Sequence, residues 1–63
     1  MKARIVEQRL RKLGFELLPN RGKGSHRIYR HPDGRFVVVS DHDGTIPKGT
    51  LANIRRSIRP DNL

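Results

Sequence analysis

Few side chains in this sequence can do acid–base chemistry at neutral pH, and three of them are the histidines His26, His31 and His42. Imidazole is the group that exchanges protons near pH 7 without help from its surroundings. His26 has the most suggestive setting. It follows Gly24-Ser25, whose small side chains let a substrate backbone come close. Lys23 and Arg27 flank it, with Arg21 and Arg30 next along the chain. A proton acceptor among cations suits general acid–base cleavage of RNA. There the 2′-hydroxyl of the substrate is the nucleophile, and the protein adds only a base and positive charge for the developing phosphorane. Two plainer readings stand beside this one: His26 can be a surface histidine at a strand start, or one satisfied by a backbone carbonyl. The alternation of a strand can also turn Arg27 to the opposite face.

Other chemistries find no residues to run on. The chain has no cysteine, which removes disulfides, thiol nucleophiles and thiolate-ligated zinc. Asp41-His42-Asp43 has metal-ligating side chains, but adjacent residues rarely converge on one ion, so neither a metal nor another cofactor is expected. No carboxylate pair has the spacing for glycoside work, and there is no phosphate-binding glycine loop. Ser25 is a poor nucleophile for His26, because neighbours in a strand point apart. His31, before Pro32, reads as a solvated turn residue.

Fourteen Lys and Arg against six Asp and Glu give a net charge of +8 on 63 residues. A small basic domain attracts polyanions, and the phosphate backbone of a nucleic acid is the usual one. No apolar run reaches the length of a membrane span, and no apolar leader opens the chain, so a cytoplasmic protein without a membrane partner is expected.

The elements that must position these groups can be read in order. Residues 2–13 make an amphipathic helix with Ala3, Val6, Leu10 and Leu13 on its buried face, and Gly14 stops it in the left-handed conformation. In that motif the residue after the glycine packs one turn back, which pairs Phe15 with Leu10. Residues 15–18 form a short strand, 20–24 a polar loop and 25–30 a second strand. His31-Pro32-Asp33-Gly34 is a hairpin turn leading to a third strand at 35–40. A polar loop follows. Pro47 opens a second helix whose buried stripe is Leu51, Ile54 and Ile58; Pro60 ends it, before a frayed tail at 61–63.

The predicted fold is a single domain over 1–63 of the α+β class. It is a two-layer α-β-β-β-α unit with three antiparallel strands and both helices on one face. With Phe15, Leu17, Ile28, Phe36 and Val38 under the helices, Leu18, Tyr29, Val37 and Val39 fall on the open face. Four apolar residues there suggest a protein partner or a dimer.

Taken in order, Gly24-Ser25-His26, the run Ile28 to Arg35 through His31-Pro32-Asp33-Gly34, Val37-Val38-Val39, His42 and Ile46-Pro47-Lys48-Gly49-Thr50-Leu51 resemble the HicA toxin family, over nearly the whole chain. The resemblance implies a fold like the double-stranded RNA-binding domain. It also implies a metal-independent endoribonuclease that cuts messenger RNA and stops translation, and a HicB antitoxin through which the protein is silenced and assembled. By the same resemblance His26 is the catalytic residue. Lys23 and Arg27, nearest to it in the chain, and then Arg21 and Arg30 are the candidates for holding nucleic acid. A non-catalytic RNA- or DNA-binding module with the same basic surface is the alternative.

Overall fold

The computed structural model describes residues 1–19 and 26–63. The order is α1 (Ala3–Lys12), β1 (Glu16–Leu17), β2 (His26–Arg30), β3 (Phe36–Ser40) and α2 (Lys48–Ser57). The three strands form one antiparallel sheet in the order β1-β2-β3. The α+β class and the element order are those expected, with ends shifted by one to a few residues.

Helix α1 ends as the glycine predicts. Gly14 has φ +98°, its N–H donates to the Arg11 carbonyl, and the Phe15 N–H donates to the Leu10 carbonyl. This is the paired-bond C-cap in which a residue without Cβ takes the left-handed position. Phe15 is thereby delivered into the core beside Leu10, and both are buried. The hairpin between β2 and β3 closes with the His31 N–H on the Arg35 carbonyl and the Gly34 N–H on the His31 carbonyl.

The loop after β3 is more ordered than its composition suggests. Asp43 and Gly44 both have positive φ, and His42 and Thr45 exchange backbone hydrogen bonds. An Asp-Gly pair with two left-handed residues makes the tight hairpin turn whose twist matches its flanking chains. It docks on the N-terminus, where the Ala3 N–H donates to the Gly44 carbonyl at 2.8 Å.

The faces of β2 and β3 are the reverse of those expected, while Phe15 is buried as expected. Phe15, Tyr29, Val37 and Val39 are buried with Ala3, Val6 and Leu10 of α1 and with Ile54 and Ile58 of the α2 segment. Phe36 and Val38 are about half exposed, and Ile28 is half-buried on the open face with them. Leu17 lies opposite Tyr29, yet at the sheet edge it stays 43% exposed. The physical reason lies in β3, which is apolar at four consecutive positions, so a two-residue period cannot choose its inward set. The choice falls to β2, where a buried Tyr29 can give its hydroxyl to a carboxylate on α1. Burying either Phe36 or Val37 suits the hydrophobic effect; burying Tyr29 requires that partner.

Two smaller corrections concern the C-terminus. Helix α2 ends at Ser57, before Pro60 is reached. The tail is tied down: Arg35 donates to the Ile58 and Arg59 carbonyls and to Asp61, and Leu63 packs against the core. The same guanidinium lies 5.0 Å from the centroid of Phe15, so one arginine joins hairpin, core and tail.

Candidate active site

The pleat of β2 decides what stands near His26. Side chains alternate across a strand, so His26, Ile28 and Arg30 share the open face, while Arg27 and Tyr29 turn toward the helices. The register sets Ser40 opposite His26, Val38 opposite Ile28 and Phe36 opposite Arg30. The open face is therefore a grid with a polar pair at one end, an apolar pair in the middle and a cation–aromatic pair at the other. His26 is exposed.

Helix α2 adds a wall that was not read from the sequence. A cleft of about 440 Å³ is lined by His26, Phe36, Val38 and Ser40 from the sheet and by Thr50, Asn53, Ile54 and Ser57 from α2. Thr50, Asn53 and Ser57 recur at spacings of three and four, which puts them in one row along the helix. Two hydroxyls and an amide thus face the same space as the imidazole and the Ser40 hydroxyl. They can donate to phosphate oxygens or accept from ribose hydroxyls. Arg56 donates to the Asn53 side-chain oxygen, which brings a guanidinium to the same row. The signal was present as a polar stripe beside the apolar stripe of α2, but only the path of α2 along the β3 edge gives it a purpose.

On the opposite face Arg27 serves a different set of partners. Its Nε donates to Glu7 Oε1 at 2.6 Å, and its Nη2 donates to Glu7 Oε2 at 3.2 Å and to Asp41 Oδ1 at 2.7 Å. The Tyr29 hydroxyl donates to the same Glu7 Oε1 at 2.7 Å, and Asp41 Oδ2 accepts the Gly44 N–H. One guanidinium therefore joins α1, β2 and the turn after β3. The hydrogen bond to Glu7 raises the Arg27 pKa further above its usual range. Arg27 in turn holds the Asp41 carboxyl below the usual carboxylate value. Burial, seconded by the bond to Glu7, pushes the Tyr29 phenol up to about 12. Glu7 was not singled out from sequence, since a lone acid on a helix carries no sign of its partner.

The remaining groups sort clearly. Arg30 is exposed on the His26 face, its guanidinium 5.9 Å from the Phe36 ring centroid. Lys23 and Arg21, and with them Gly24 and Ser25, lie outside the described residues. His31 is not a solvated turn residue. Its Nε2 bonds the Leu13 carbonyl at 3.1 Å, its Nδ1 accepts the Asp33 N–H at 3.1 Å, and its ring meets Phe15 edge-on at 5.1 Å. The Asp33 carboxylate also lies 3.1 Å from Nδ1, so the ring is held from both nitrogens. His42 projects into solvent, 3.6 Å from the Asp43 carboxylate. Among the described residues no three His, Asp or Glu side chains converge as a metal site. No described helix is long and apolar enough to cross a membrane.

Residues 3–59 match the family model described as the HicA toxin of bacterial toxin–antitoxin pairs. No curated protein matches the chain.

Proposed function

From the premise that this chain belongs to the HicA toxin family of bacterial toxin–antitoxin pairs, we propose that it is an endoribonuclease that cleaves messenger RNA at the His26 cleft. The observation that carries this reading is the placement of one exposed imidazole opposite Ser40, in a cleft walled by Thr50, Asn53 and Ser57, on a chain of net charge +8.

His26 takes the proton from the ribose 2′-hydroxyl as O2′ attacks phosphorus. The P–O5′ bond breaks, the imidazolium so formed or a solvent water gives a proton to the departing O5′, and a 2′,3′-cyclic phosphate remains. The hydroxyls and amide around His26 hold the phosphate and ribose in line, and cations offset the added charge on the phosphorane. Arg30 is on the same face, and Lys23 and Arg21 precede His26 in sequence; these three are the phosphate-holding candidates. Arg27 is assigned a structural role instead. Because the substrate brings its own nucleophile, the residues need no metal for this step. A HicB-type antitoxin is the proposed neutralising partner.

Incubation of the protein with a long RNA tests the reading. Wild type gives fragments ending in cyclic phosphate, with or without EDTA, and His26→Ala gives none while still binding RNA. Undiminished cleavage by His26→Ala removes the catalytic assignment. Binding without cleavage by wild type leaves the other reading, a basic nucleic-acid-binding module.

A further inference from the structure

A second cleft of about 450 Å³ adjoins the first and is lined by Leu18, Pro19, Ile28, Arg30 and Phe36. Phe36 lines both clefts, so its ring stands where one passes into the other. It is 55% exposed, an unusual place for a phenyl group on a basic surface. The ring is attached to the last register pair of the open face, with Arg30 directly opposite and its guanidinium over the ring.

We propose that this cleft is a nucleobase subsite for single-stranded RNA. One base stacks on Phe36 against the apolar floor of Leu18, Pro19 and Ile28, and its phosphate meets Arg30. The inference rests on the ribonuclease reading and deepens it. Three observations favour RNA as the occupant. A planar apolar wall beside a cation matches a base joined to a phosphate, and aromatic side chains on an exposed sheet are a common platform for single-stranded bases. The volume suits a group of that size. The cleft also continues into the one holding His26. In β2, Arg30 is four residues from His26, about 13 Å along the strand at ~3.3 Å per residue, so the stacked base belongs to a nucleotide displaced from the scissile bond. Glu16, opposite Arg30 on β1, shares a neighbouring cleft with it, so the phosphate competes with this carboxylate for the guanidinium.

The test uses full-length protein and a short 2′-O-methyl RNA, which cannot be cleaved, carrying a fluorescent purine. Phe36→Leu keeps an apolar side chain but loses the ring; Phe36→Trp keeps a ring. Phe36→Leu is expected to weaken binding roughly 5- to 150-fold, the range for losing one base stack, and to abolish the quenching of the purine. Phe36→Trp is expected to retain both. Circular dichroism and thermal melts check that the variants are folded. Equal RNA affinity and quenching in wild type and Phe36→Leu overturn the subsite; if that variant then loses a bound antitoxin, the face is a protein-docking surface. The ribonuclease reading fails separately: wild type that binds and quenches this RNA yet cuts no long RNA keeps the subsite and loses the enzyme.

Discussion

His26 and Arg27 are adjacent in sequence and stand on opposite faces of the sheet. The first is exposed at the floor of a cleft, and the second is bonded to Glu7 and Asp41 beneath the helices. One peptide unit of a strand thus separates the proposed chemistry from the structure that supports it.

Arg27 is therefore expected to matter for folding and Arg30 for RNA. Arg27→Met leaves Glu7 and Asp41 without their shared cation and should cost about 1.5–3 kcal/mol, the usual worth of hydrogen bonds to charged groups. Urea unfolding measures this. The salt dependence of RNA binding by the folded variant should match wild type. Arg30→Ala should do the opposite, sparing the urea midpoint and lowering the slope of log K against log salt by about one. A weaker salt slope in Arg27→Met at unchanged stability contradicts this division.

Tyr29 is the only tyrosine, so the tyrosinate absorbance reports one group. Its pKa is pushed from 10.0 up to about 12, by burial first and then by its bond to Glu7. The folded value lies above the unfolded one, so the stabilisation is complete below about pH 10 and is lost as pH rises from there through about 12. An absorbance titration of the native protein should show the transition near 12, and denaturant midpoints should begin to fall above pH 10. A native transition at pH 10 contradicts the buried hydroxyl.

Gly14 meets two independent obstacles to substitution. Its φ of +98° disfavours any side chain with Cβ, and a Cβ would lie 3.0 Å from Nε2 of His31. Gly14→Ala should lose about 1–3 kcal/mol from the backbone conformation alone, with more from displacing the His31 ring. Gly34→Ala shares the positive φ but has nothing within 4 Å, so its loss should be the smaller of the two. Thermal melts of the pair compare the two costs directly.

The polar row of α2 should act on turnover. Asn53 is exposed, so Asn53→Ala should leave thermal stability within about 0.5 kcal/mol. If the row holds the phosphate in the transition state, kcat falls about 10- to 150-fold, the worth of one hydrogen bond to a charged group. Thr50→Val and Ser57→Ala test the same row. Cleavage kinetics unchanged in all three would remove α2 from the site.

Some of this was plain in the residues because it depends on local rules. Gly14 after an amphipathic run and Pro32-Asp33-Gly34 between apolar runs fixed where helix and hairpin end, since left-handed backbone and preset φ belong to single residues. The Asp43-Gly44 turn is equally local, and that dipeptide is its signal within the polar stretch after β3. The inward face of β2 and β3 was different. Ile28-Tyr29 and Phe36-Val37-Val38-Val39 are apolar on both parities, and the tie is broken by Glu7, some twenty residues away.

The sequence by itself determined the element order, the turn positions and the charge. These follow from side-chain type and spacing along one chain. Tertiary structure alone decided that Arg27 is spent on Glu7 and Asp41, that His31 locks the hairpin to α1, and that Thr50, Asn53, Ser57 and Phe36 share a cleft with His26. Each is a contact between segments distant in sequence, fixed by which sheet face the helices cover, and no periodicity within one segment records that choice.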